Sequence, residues 1–140
     1  MAGVSVDEII AAALAAGPDV IAASAYLFGS VAEGREHAES DVDIGVVLSP
    51  AAYPTPQARF EARLRLIGQL RRALGRDADV VILNDAPPQL ARRIMTRGRR
   101  VALFDDALDR AMLRTVLSRA ADIEPFLRRA RRVKLAAIGR

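Results

Sequence analysis

The sequence predicts one α/β or α+β domain spanning residues 1–140, and three observations predict it. Short apolar runs bounded by glycine, proline or aspartate alternate with longer segments whose apolar residues recur at helical spacing. A chain of 140 residues is long enough for one core and leaves little for a second. No internal repeat and no low-complexity tail interrupts the alternation.

Ser5-Val6-Asp7-Glu8 has the form of a capping box: a hydroxyl at the helix N-cap and a carboxylate three residues on. The alanine-rich helix it opens should stop near Gly17, with Pro18 just beyond. Val20 to Phe28 is an apolar run suited to a buried strand, and Gly29-Ser30 breaks it and starts a short helix. Asp41 to Leu48 reads as a second strand, with Val42, Ile44, Val46 and Leu48 on one face and Asp41, Asp43 and Gly45 on the other. Pro50, Pro54 and Pro56 make 49–57 a loop, which puts Tyr53 in solvent. Phe60, Leu64, Ile67, Leu70 and Leu74 then form a helical stripe ended by Gly75. Asp79 to Leu83 is a third strand, closed by Asn84-Asp85. Pro87-Pro88 opens a helix with Leu90, Ile94 and Met95 on its apolar face and Gly98 at its end. Val101 to Phe104 is a fourth short strand. Leu108, Met112, Leu113, Val116 and Leu117 stripe the next helix, and Pro125 begins a further one.

Composition removes several chemistries. The chain has no cysteine, so disulfides, zinc–thiolate sites and thiol catalysis are all excluded. His37 is the single histidine, too few for a histidine metal cluster. Charges interrupt every apolar run short of the ~20 residues of a membrane span, and no basic stretch precedes an apolar one at the start. The expectation is a cytoplasmic protein without a membrane partner. Charge is divided unevenly along the chain. Residues 1–58 hold eight acids and one base, Arg35, whereas residues 59–140 hold twenty bases and nine acids. Lys134 is the one lysine, and such arginine dominance also accompanies a GC-rich genome.

The stretch that carries chemistry is Gly29 to Asp43. Gly29 lets the backbone approach a bulky anion with no Cβ in the way. Ser30 adds a hydroxyl donor at the start of a helix, where free amides favour phosphate. Asp41 and Asp43 differ by two on a strand, so both carboxylates leave one face. Parallel carboxylates repel unless a cation lies between them, and hard oxygen ligands of this kind suit magnesium. Asp79 opens the third strand on the face it shares with Val81 and Leu83. If the two strands are neighbours, Asp79 stands beside the pair. Three carboxylates holding two cations would make a phosphoryl-transfer site, with Asp79 orienting the nucleophile or taking its proton. The plainer alternative is that aspartates at a strand end only cap a turn.

Gly29-Ser30, ten residues, then Asp41-x-Asp43 resembles the signature of the nucleotidyltransferase superfamily that includes DNA polymerase β. The fuller strings 29–34 (Gly-Ser-Val-Ala-Glu-Gly) and 40–44 (Ser-Asp-Val-Asp-Ile) are similar to the minimal nucleotidyltransferases. So are Asp79 to Asn84, then Pro88, Leu90, Ile94 and Gly98, and Asp122-Ile-Glu-Pro near the end. The resemblance implies a small mixed sheet flanked by helices, with C-terminal helices after it. It also implies transfer of a nucleotide from a nucleoside triphosphate, with two Mg2+ ions and ATP. Minimal nucleotidyltransferases commonly serve as antitoxins of HEPN-type ribonucleases, placing AMP on a toxin tyrosine. By the same resemblance Gly29, Ser30 and Ser40 contact the nucleotide, and Asp41, Asp43 and Asp79 bind the metals.

One departure stands out: Glu33 occupies a position where relatives often carry arginine, with Arg35 two residues on. His37 reads as a surface residue and Tyr26 as core. Arg92, Arg93, Arg97, Arg99 and Arg100 gather around a helix end, where the dipole favours cations; triphosphate or an acidic partner is the functional alternative. A second cluster runs through Arg128, Arg129, Arg131, Arg132 and Lys134. Four Phe and two Tyr offer few stacking surfaces, so direct nucleic-acid binding is not expected. Two rival readings stay open. One is transfer to a small molecule of the aminoglycoside type, which a domain this small would have difficulty enclosing. The other is an antitoxin that neutralises by occlusion without chemistry.

Overall fold

The computed structural model describes residues 3–17, 20–34 and 41–138. In chain order the elements are α1 (Val6–Ala16), β1 (Ala22–Phe28), α2 (Gly29–Ala32), β2 (Val42–Leu48), α3 (Pro56–Leu74), β3 (Ala78–Ile82), α4 (Pro88–Arg97), β4 (Arg99–Leu103) and α5 (Asp106–Ile138). The ends obey local chemistry. Ser5 caps α1, its Oγ accepting the Glu8 amide at 3.2 Å. Thr55 caps α3 through the Ala58 amide at 3.1 Å, and Gly75 ends it at φ 66°. Pro18, the residue expected beyond the end of α1, lies outside the described residues.

The sheet is mixed and has strand order β3-β2-β1-β4. β1 is antiparallel to both neighbours, while β2 and β3 run parallel. Helices cover both faces. On one, Ile10 and Leu14 of α1 and Ala62, Leu66 and Leu70 of α3 bury against Leu27, Ile44, Val46, Leu48 and Val80. On the other, Ala91, Ile94 and Met95 of α4 and Val116 of α5 bury against Tyr26, Val47 and Leu83. Each fully buried leucine or isoleucine here is worth about 2 kcal/mol. A strand covered on both faces reads as an unbroken apolar run, which is why β1 shows no alternation. Gly45 has room for no side chain, because a Cβ would meet Ile94 at 2.8 Å. Its absence lets α4 sit close on β2.

Three sequence expectations are corrected. Phe60 and Leu64 of the expected stripe are 53% and 52% exposed, whereas Leu70 is buried as expected and is joined on the buried face of α3 by Ala62 and Leu66. Small Ala62 lies against the sheet where the stripe rule favours bulk. Tyr53 is 8% exposed rather than in solvent, its hydroxyl accepting the Ile21 amide at 3.0 Å. The last two helices are one continuous helix, α5, with Pro125 inside it. Proline removes one amide and frees the Ala121 carbonyl, but Ala121 is exposed. No described helix is long and apolar enough to cross a membrane.

Candidate active site

Strand register assembles the site. Phe28 of β1 pairs with Asp43 of β2, and Asp43 pairs with Asp79 of β3. Because β2 and β3 are parallel and in step, the two aspartates stand on one face, at the end of the sheet where β1 turns into α2. Asp41 lies just before β2 and is exposed; Asp43 is half-buried and Asp79 exposed. Burial, then the negative charges of Asp79 and Asp41, raise the Asp43 carboxyl above its ordinary value. Asp43 therefore feels both neighbouring carboxylates.

Gly29 turns the chain at φ 77°, and its Cα lies so close to Asp43 that a Cβ would overlap the carboxylate. Ser30 follows in α2, half-buried. The structure thus brings together Gly29, Ser30, Asp41, Asp43 and Asp79. Ser40, His37 and Arg35 lie outside the described residues. Among the described residues, no three acidic or histidine side chains yet enclose one point as a metal-ligand set.

Arg63 is a site residue that the sequence reading missed. Its Nη2 lies 3.0 Å from Asp79 Oδ1, and its Nε donates to the Val80 carbonyl at 2.6 Å. Asp79 Oδ1 also accepts the Val80 amide at 3.0 Å, which leaves Oδ2 without a hydrogen bond among the described residues. One turn earlier, Arg59 makes a two-pronged pair with Asp85 at 2.8 and 2.9 Å. Arginines at i and i+4 on one face of α3 were the available signal. Arg93 and Arg97 of α4 also approach, lining with Phe28, Gly29, Glu33 and Ile94 a cavity of about 340 Å3.

The chemistry of the donors, carboxylate oxygens on one sheet end, suits a hard divalent cation, and the repulsion that raises Asp43 is what such a cation would relieve.

Comparison with known proteins identifies the family and the fold. The model of the family described as polymerase beta, nucleotidyltransferase, matches residues 8–106. The chain is similar to the protein adenylyltransferase MntA of Shewanella oneidensis, 34% identical over 76 residues. That match covers 54% of this chain and spans only half, 50%, of the curated relative. Among solved structures the chain is similar to a toxin–antitoxin with AMP-PNP, at 25% identity and a TM-score of 0.66, over 96% of this chain and 98% of that one. It is also similar to a chain of a tri-AMPylated Shewanella oneidensis HEPN toxin in complex with MNT antitoxin. There identity is 23% and the TM-score 0.59, over 96% and 97% of the two chains, a likeness of fold. With the β1–α2 turn, the paired aspartates and the β3 aspartate all inside the matched span, the chain belongs to the polymerase beta nucleotidyltransferase family.

Proposed function

We propose that this chain is a magnesium-dependent adenylyltransferase that moves AMP from ATP to a tyrosine hydroxyl of a HEPN-type ribonuclease toxin, acting as its antitoxin. The observation that carries the reading is the in-step pairing of Asp43 with Asp79 beside the Gly29 turn. Similarity to a protein adenylyltransferase, and to solved toxin–antitoxin complexes containing AMP-PNP or an AMPylated HEPN toxin, supports the donor and the acceptor.

Asp41, Asp43 and Asp79 would hold two magnesium ions, which supply charge neutralisation on the triphosphate and a lowered pKa for the attacking hydroxyl. The rest falls to the chain itself. Gly29 admits the phosphates close to the backbone, and the Ser30 hydroxyl donates to a phosphate oxygen. Arg63 and the Val80 amide hold Asp79 by Oδ1, so Oδ2 is left to orient the acceptor hydroxyl and take its proton. The acceptor oxygen bonds to the α-phosphorus as the bond to pyrophosphate breaks.

The test is to incubate the adjacent gene's product with this protein, magnesium and ATP, and weigh it intact. A gain of one or more AMP groups that vanishes with Asp41→Asn/Asp43→Asn is the expected result. Tight binding with no mass change under all four nucleotides would sink the catalytic reading and leave neutralisation by occlusion. In the same assay Gly29→Ala is expected to cut transfer at least tenfold. A Cβ at positive φ costs about 1 kcal/mol and pushes the Asp43 carboxylate aside. A melting curve separates the two effects: the stability loss is small and the rate loss is large.

A further inference from the structure

We propose that Arg93 and Arg97 form a polyphosphate site beside the Gly29 turn, taking the β- and γ-phosphates of a nucleoside triphosphate. The proposal rests on the nucleotide reading above and extends it to residues outside the Gly-Ser turn and the three aspartates. The two guanidinium-bearing residues lie one helical turn apart on α4 and flank Ile94 in the wall of the 340 Å3 cavity that also exposes Gly29. That volume falls at the small end of ligand pockets.

Charge points the same way. Several neighbouring arginines are committed, Arg59 to Asp85, Arg63 to Asp79, Arg99 to Asp7 and Arg100 to Asp109, and Arg92, which makes no ion pair among the described residues, does not line this cavity. Arg93 and Arg97 are exposed and make no ion pair among the described residues. Among the described residues Glu33 is the one carboxylate on the cavity wall, against two guanidiniums, a balance that favours an anion. Helix-dipole compensation accounts for Arg97, in the last turn of α4, but not for Arg93. The platform is rigid, because Gly45 admits Ile94 onto β2 and the Gly98 amide closes α4 on the Ile94 carbonyl at 2.8 Å. On one side of Gly29 lie carboxylates that repel phosphate lacking a counter-ion; on the other lie guanidiniums that attract it.

The test is calorimetric titration of the full chain with tripolyphosphate, ATP and AMP, without added metal. Arg93→Gln/Arg97→Gln is expected to weaken tripolyphosphate and ATP about tenfold or more. AMP should shift less than about twofold, and Arg93→Lys/Arg97→Lys should recover part of the loss. Removal of the opposing charge by Glu33→Gln should tighten tripolyphosphate. Melting curves of both double variants verify folding. Unchanged tripolyphosphate and ATP affinity, an equal loss for AMP, or a loss confined to toxin binding would each overturn the site. Its failure is distinct from failure of the transfer reading. Adenylylation at an unchanged KM for ATP in the glutamine variant sinks the site and keeps the transfer. Arginine-dependent tripolyphosphate binding, in a protein that adenylylates no partner, does the reverse.

Discussion

Asp43→Asn is expected to lower AMP transfer roughly a thousandfold while leaving the protein as stable as before or slightly more so. The two effects part because the same geometry drives them in opposite directions. Asp43 is half-buried, pairs in register with Asp79 and has Asp41 two residues away. Without a cation, its charge costs the fold desolvation and repulsion, which is why its carboxyl lies above the ordinary value. The amide keeps the volume beside Gly29 and removes the charge, so unfolding should show Tm unchanged or raised. On the proposed mechanism transfer needs that charge as a metal ligand. A second readout keeps metal and fold apart. Magnesium with a non-hydrolysable ATP analogue should raise the Tm of the wild-type protein by mass action and that of the variant much less. A variant within tenfold of the wild-type rate would show that Asp43 holds no metal in the reaction.

The elements were legible because their signals are local. The Ser5 capping box, the Gly75 stop, the apolar run of β1 and the alternation of β2 all report themselves within a few residues. Asp41 and Asp43 were legible as a pair for the same reason. What the sequence left open was long-range. That Asp79 stands beside Asp43 depends on β2 and β3 being parallel neighbours in step, which alternation alone leaves undetermined. The stripe of α3 was misread because periodicity favours large apolar residues, and the helix instead buries Ala62 and turns Phe60 outward. Pro125 was read as a start because it removes an amide, a loss an exposed helix tolerates. Arg63 is hidden among twenty arginines, whereas Arg93 and Arg97 stand out only as two of a cluster of five, and tertiary packing shows that these two line the cavity beside Gly29.

Asp109→Ala is expected to destabilise the fold by about 3 kcal/mol, a fall in Tm of roughly 10 °C. Asp109 is 3% exposed, in the first turn of α5, where a negative charge also suits the helix dipole. Its Oδ1 accepts from Ser24 Oγ and Tyr26 Oη, both at 2.6 Å, and its Oδ2 lies 3.1 Å from Arg100 Nη1. One carboxylate therefore ties α5 to β1 and β4. Burial, then the hydrogen bond to Asp109, push the Tyr26 phenol well above its ordinary value, so it remains a donor. Truncation would leave two buried hydroxyls facing a void without an acceptor, whereas the partly exposed Arg100 could turn to water. The graded series tests that account. Asp109→Asn keeps one acceptor oxygen and should lose less than Ala, and Tyr26→Phe should lose about 1 kcal/mol. After Tyr26→Phe, Asp109→Ala should cost less than in the wild type, because one stranded donor is gone. Additive losses in that cycle would mean that Asp109 acts through the helix dipole and Arg100, not through the strand. Because β1 runs from Ser24 and Tyr26 directly into Gly29, a loosened anchor should also slow AMP transfer.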